Sequence, residues 1–176
     1  MTWPTVRARY IFKRVDVRGA SAPLASATVQ GVSLRAENEH SVWNPGDDLS
    51  AYKLVEPGDF VIGLRSFQHG FSFSQVRGLV SPAYNVFRAS IELEPRFYKY
   101  YFRSRHFITL MDNLSQGIRQ GKTIDYEDFS GHYLQVPPLH EQRRIADFLD
   151  AETRRIDALV TLGERQPLSW RRSKHH

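Results

Sequence analysis

The stretch Val136-Pro137-Pro138-Leu139-His140-Glu141-Gln142-Arg143-Arg144-Ile145-Ala146-Asp147-Phe148-Leu149-Asp150-Ala151-Glu152-Thr153-Arg154-Arg155-Ile156-Asp157-Ala158-Leu159-Val160 divides this chain into a part before it and a helix within it. Pro137-Pro138 removes two backbone donors and blocks any helix arriving from upstream. A helix is predicted from Leu139 to Leu162, with Glu141 in its first turn, where the helix dipole favours an acid. Ile145, Leu149, Ile156 and Leu159 fall on one stripe, Glu152 fills its gap, and Phe148 and Val160 flank it. This is a narrow, coiled-coil-like seam, interrupted once. Gly163-Glu164-Arg165-Gln166-Pro167 is expected to break the helix. Residues 163–176 read as a basic, disordered tail, with Arg165, Arg171, Arg172 and Lys174 against Glu164.

Moving upstream, His132 to Val136 reads as a short strand, and residues 115–124 as a polar loop punctuated by Gly117 and Gly121. Glu94-Pro95 opens a helix, since proline's missing N–H costs nothing in the first turn. Phe97, Tyr101, Ile108 and Met111 recur near helical spacing, widened by Tyr98 and Phe102, and read as core. Arg96, Lys99, Arg103 and Arg105 read mostly as a solvated face. Strands are expected at Tyr52–Val55, Phe60–Leu64, Val76–Val80 and Tyr84–Phe87, with a turn at Glu56-Pro57-Gly58-Asp59. Two short strands flank Gln30-Gly31. Residues 19–26, 37–50 and 65–75 read as loops, and residues 5–14 as a short basic helix after Pro4. The fold class is therefore α+β. A globular domain, residues 1–136, holds a curved mixed or antiparallel sheet with packed helices. A projecting coiled-coil-like helix, 137–162, follows it, then the tail 163–176.

The chain has 176 residues, 41% of them hydrophobic and 24% charged, which suits one globular domain with an appendage. The net charge of +5 invites a nucleic-acid partner, but much of it sits in the tail, so the balance alone does not establish one. Cysteine is absent, which excludes disulfides and thiolate chemistry and fits a cytoplasmic protein. No apolar run is long enough to span a membrane, and Met1-Thr2-Trp3-Pro4 lacks the character of a signal peptide.

Catalytic constellations are not found. No pair of histidines has helical zinc spacing, and there is neither a nucleophile elbow nor a Walker-type loop. An amino-methyltransferase would need a polar residue before its Pro-Pro and an aromatic after it, but Val136 and Leu139 occupy those places. A metal-dependent nuclease would need further carboxylates and a lysine around a strand. Pro57-Gly58-Asp59 is followed by no such set and reads as a turn. No catalytic residue, metal or cofactor is expected in this chain.

The quoted stretch resembles the element that closes a target-recognition domain in the specificity subunits of type I restriction–modification systems. The resemblance is carried by Pro137, Pro138, Glu141, Gln142, Ile145, Ala146, Leu149, Asp150, Ile156 and Asp157. Pro57 to Ile62, Gly78 to Tyr84 and Ser115 to Arg119 are similar to further family segments in the same order, so the likeness extends over roughly residues 3–162. It implies a DNA-binding, non-catalytic role. In that family two recognition domains, each followed by a long helix, read the two parts of a split target, and the helices pack antiparallel as a spacer. Modification subunits methylate adenine with S-adenosylmethionine, and a restriction subunit translocates and cleaves DNA with ATP. The partners implied are double-stranded DNA, modification subunits, the restriction subunit through them, and a second recognition half, with no membrane. This chain departs from the pattern in holding one recognition domain and a shorter helix. The alternative reading is an interaction or decoy fragment that binds modification subunits without productive DNA reading.

Arginine suits guanine edges and glutamine suits adenine, while phosphate contacts supply affinity and register. Two loops carry this chemistry. The first holds Arg65, Gln68, His69, Gln75 and Arg77, and the second Gln116, Arg119, Gln120 and Lys122. Either they meet DNA or they are solvated surface. Ile145, Leu149, Glu152, Ile156 and Leu159 are the candidate partner-binding residues.

Overall fold

The computed structural model describes residues 2–37, 46, 48–117 and 124–165. The chain opens with strand β1 (Thr5–Arg7), a 3-10 turn at Ala8–Tyr10 and strand β2 (Phe12–Val15), not with a helix. Here β-branched and aromatic residues (Thr5, Val6, Phe12) meet partner strands, and pairing decides against the helix that the run of basic residues suggests. A hairpin follows, β3 (Ala25–Thr28) and β4 (Gly31–Leu34), turning at Val29-Gln30. Then come β5 (Lys53–Val55), β6 (Phe60–Ile62), α1 (Ser66–His69), β7 (Ser72–Phe73), β8 (Gly78–Val80) and β9 (Asn85–Ala89). The segment expected to be a plain loop at 65–75 thus holds a helical turn and an edge strand. The last elements among the described residues are α2 (Pro95–Tyr101), α3 (Arg105–Gly117), α4 (Tyr126–Ser130), β10 (Tyr133–Gln135) and α5 (Leu139–Arg165).

The main sheet has four strands in the order β2-β9-β6-β7, all antiparallel. Three two-stranded ribbons, β1-β10, β3-β4 and β5-β8, surround it. The parallel component of the expected mixed sheet is confined to isolated bridges such as Leu24 to Leu79 and Val32 to Ser74. Side chains alternate across a strand, and this separates the cores on the two faces of the main sheet. Phe12, Phe60, Ile62, Phe73 and Phe87 face the helices, where they join Phe71, Tyr98, Phe102, Phe107 and Phe129. Val61 and Val86 face the ribbons, where they join Ala25, Val32, Val55 and Val80. Phe60 and Phe87 are stacked with centroids 5.3 Å apart, and Phe71 meets Phe129 edge-on at 5.0 Å. Each such pair contributes about 0.5–1.5 kcal/mol beyond area burial.

The aromatic stripe from Phe97 onward is core, as expected, but it does not form one helix. α2 ends at Tyr101, and α3 begins at Arg105 with the Ser104 hydroxyl accepting the Phe107 N–H at 3.2 Å. Phe102, wholly buried, turns inward at the break, and its carbonyl presses so closely on Gly70 that a side chain there would collide with it. Gly70, at φ +77°, is also in the left-handed region.

The Pro-Pro motif joins α5 to the domain. Gln142 is 2% exposed. Its Nε2 donates to the Pro137 carbonyl at 2.8 Å, and its Oε1 accepts the Glu94 N–H at 2.9 Å. Trp3 Nε1 donates to Glu141 at 2.9 Å. Ala146 is buried, and Ile145 packs on the aromatic core. Arg96 is no simple solvated side chain. It reaches from α2 to Asp147 (2.9 Å) and Asp150 (2.8 Å) while bonding Glu94, and Tyr100 donates to Asp150 at 2.5 Å.

Beyond this joint α5 projects. Thr153 to Arg165 extends about 20 Å at 1.5 Å per residue, and Ile156 and Leu159 are 57% and 58% exposed. The helix runs on through Gly163 and Glu164 to Arg165, past its expected end at Leu162. A lone glycine weakens a helix by about 1 kcal/mol without ending it. A proline disfavours the helical conformation in the residue directly before it, and Arg165 stands two residues before Pro167. No helix among the described residues is long and apolar enough to cross a membrane.

Candidate nucleic-acid interface

The β3–β4 hairpin stands between two open clefts. The first, of about 360 Å³, is lined by Thr28, Val29, Arg65, His69, Ser72 and Tyr84. The second, of about 630 Å³, is lined by Val29, Gln30, Ser33, Glu37, Gln75 and Lys99. The tip residues Thr28, Val29 and Gln30 are exposed.

Local hydrogen bonds hold this face in shape. The Thr28 hydroxyl donates to the Gly31 carbonyl at 2.9 Å and accepts the Gln30 N–H at 3.2 Å. Ser72 Oγ donates to the Thr28 carbonyl at 2.8 Å, tying the tip to β7. Gly31 has φ +132°, and a Cβ there would lie 2.8 Å from the Phe73 carbonyl oxygen. Only glycine lets the ribbon approach the sheet edge so closely. Ser66 Oγ accepts the Gly63 N–H at 2.8 Å and fixes the turn that presents Arg65.

Two further charges are fixed by hydrogen bonds. Lys53 is buried and donates to the Tyr84 carbonyl at 2.6 Å, with burial pushing its ammonium below the usual lysine range. Asp59, 0% exposed, accepts from Arg88 Nε at 2.6 Å and Nη2 at 2.9 Å, and from the Glu56 N–H at 2.9 Å. The hydrogen bond to Asp59 raises Arg88 above the usual arginine value. The Gly-Asp turn is therefore a structural joint between strands, and Asp59 is occupied in it.

Of the first candidate loop, Arg65, His69 and Gln75 line the clefts. Gln68 is exposed on α1, outside both linings. Arg77 is turned away to other partners, bonding Glu56 at 3.1 Å and the Ser21 carbonyl at 2.9 Å. Of the second loop, Gln116 lies in the last turn of α3. Arg119, Gln120 and Lys122 fall outside the described residues. Sequence reasoning missed the hairpin tip, Tyr84 and Lys99. Lys99, which reads as plain helix surface from the sequence, lines the second cleft beside Gln75, its Nζ 5.0 Å from the Tyr100 ring centroid.

The partner-binding candidates divide. Ile145 packs on the domain's own core, and Leu149 is half-buried. Glu152 is half-exposed, with a weak 3.4 Å contact to Arg155. Ile156 and Leu159 lie open on the projecting half of α5, with Val160 and Leu162 beside them. No cluster of three or more metal-ligating side chains occurs among the described residues.

No family model matches the sequence, and no curated protein matches it. Solved structures do match the fold. One is a chain from a structure of the type I R-M system, determined for its complex assembly and conformational transition. The TM-score is 0.61 at 20% identity, over 89% of this chain and 40% of that one. Another is the HsdS subunit from Thermoanaerobacter tengcongensis, with a TM-score of 0.55 at 17% identity, over 96% of this chain and 41% of that one. The likeness is one of fold, an α+β domain with a C-terminal helix, and this chain spans about two fifths of the solved chains it matches.

Proposed function

We propose that this chain is one DNA-recognition half of a type I specificity subunit, itself non-catalytic, that directs methyltransferase and restriction subunits to a DNA target. The observation that carries the reading is the fold shared with solved type I chains over nearly the whole of this sequence. The joint at Pro137–Asp150 supports it, because several of the residues that carried the sequence resemblance act together there. Gln142, Ala146 and Asp150 seat the helix, and beyond them Thr153 to Glu164 are exposed.

In this reading residues 1–136 recognise DNA, and α5 is the spacer and assembly helix. The residues after Arg165 add unspecific positive charge. Arg65, Gln68, His69 and Gln75 work with Gln116, Arg119, Gln120 and Lys122 at the duplex. Arg77 braces them through Glu56. Ile156 and Leu159 take the partner, while Ile145, Leu149 and Glu152 belong nearer the joint. Duplex affinity comes mainly from phosphate contacts and must fall with salt.

A second reading, an interaction fragment that binds modification subunits without reading DNA, is favoured by the exposed apolar end of α5. A gel-shift assay with random duplexes, with and without modification subunit, decides between them. Retained duplex supports recognition. Partner binding with no duplex retained, even at low salt, supports the fragment.

A further inference from the structure

We infer that the tip of the β3–β4 hairpin, Val29 and Gln30, is the element that reads base edges, entering the major groove of duplex DNA. This deepens the proposed function and rests on it. A two-stranded β-ribbon fits the major groove, which is about 12 Å wide. The ribbon here is narrow, and its tip carries three consecutive exposed residues, Thr28, Val29 and Gln30. Val29, a β-branched apolar side chain, is 49% exposed at the most advanced point of the ribbon. Such a side chain matches the thymine methyl group, and a glutamine matches the N6 and N7 edge of adenine.

Rigidity makes the tip a reader and not a trailing loop. The base of the ribbon is anchored by Ala25 and Val32 in the core on the ribbon side of the sheet. The bridge from Val32 to Ser74, the Ser72 hydrogen bond and the contact of Gly31 with Phe73 hold its side along the sheet edge. The turn itself is closed by Thr28. A pre-ordered tip gives up little conformational freedom on binding.

The flanks complete the case. Arg65 and His69 lie in the cleft on one side, which no carboxylate among the described residues lines, and Lys99 and Gln75 lie in the cleft on the other. A ribbon in the groove would bring one cation-bearing flank toward each phosphate strand. Glu37, also in the second cleft, suits a cytosine amino group better than a phosphate.

The test is selection of bound sequences from a random duplex pool with the full chain and its variants, with folding of each variant checked by circular dichroism. Gln30→Ala should relax one adenine position and weaken the preferred site roughly 5- to 150-fold, as expected when one bidentate base pairing is removed. Gln30→Glu should move that position toward cytosine. Val29→Ala should weaken a neighbouring thymine preference. Arg65→Ala with Lys99→Ala should instead weaken all sequences alike and reduce the salt slope by about 0.9 for each phosphate no longer neutralised. If the wild-type chain selects a motif and the Val29 and Gln30 variants select it equally well, the hairpin is not the reader, though the proposed function stands. If the wild-type chain retains no duplex, alone or with modification subunit, both fall.

Discussion

Replacing Gln142 by leucine tests the joint between α5 and the domain. The side chain is almost fully enclosed, so its two partners lose their hydrogen bonds with little access to water. The Pro137 carbonyl loses its 2.8 Å donor inside the protein. The Glu94 N–H loses its 2.9 Å acceptor in a half-buried setting at the start of α2. An unsatisfied buried group costs about 1–3 kcal/mol, and the half-buried amide belongs at the low end. Leucine is of similar size, and its apolar burial returns about 1 kcal/mol. The net loss is about 1–3 kcal/mol, a large share of the roughly 5–15 kcal/mol typical of a domain. Urea unfolding followed by tryptophan fluorescence and by circular dichroism measures it. Trp3 packs edge-on against Phe97 at 6.2 Å and bonds Glu141, so it reports on the joint. Gln142→Glu should be worse, since it cannot donate to Pro137 and buries a charge. A Gln142→Leu protein within about 0.5 kcal/mol of wild type, as for an ordinary surface change, would refute the reasoning.

Ile156→Asp with Leu159→Asp should leave the thermal melt unchanged and abolish assembly with modification subunit, read by light scattering and pull-down. Leu149→Asp, at a half-buried position, should lower the melt itself. Gly31→Ala, strained at φ +132° and crowded by Phe73, should cost about 1–3 kcal/mol in denaturant unfolding. Burial pushes the Asp150 carboxyl up, but hydrogen bonds from Tyr100 and Arg96 and the charge of Lys99 outweigh it and hold the group below the usual carboxylate range. Its folded value being depressed, its contribution is complete above about pH 5 and is lost as pH falls through 4 and below. Melts from pH 7 to pH 3 should therefore show the gap between wild type and Asp150→Asn closing toward acid.

Much of the fold was legible because local signals agreed with it. The run Phe60-Val61-Ile62 after Pro57-Gly58-Asp59 is a buried strand after a turn, and Pro137-Pro138 does open the long helix. Thr5 to Arg14 misleads because its pairing partners, β10 and β9, lie far along the chain, and no local pattern reports them. The α2–α3 break is hidden because Phe102 keeps helical spacing while turning in toward Gly70, a contact across 32 positions. At the candidate interface, Arg65, His69 and Gln75, singled out by their chemistry, line the clefts. Arg77 looks alike, but its ion pair with Glu56 depends on the β5–β8 pairing. The hairpin tip carries no charge and lies far in sequence from the residues it joins, so only the fold brings Val29 and Gln30 beside them.

The central claim is that this chain binds duplex DNA in its own right as a recognition half. Anisotropy titration of a labelled duplex, repeated from about 50 to 200 mM salt with modification subunit present and absent, tests it most directly. For four to six phosphate contacts the slope of log K against log salt should be about −4 to −5, with a selected duplex bound more tightly than a scrambled one at every salt. A flat response, or selected and scrambled duplexes bound alike, would contradict it.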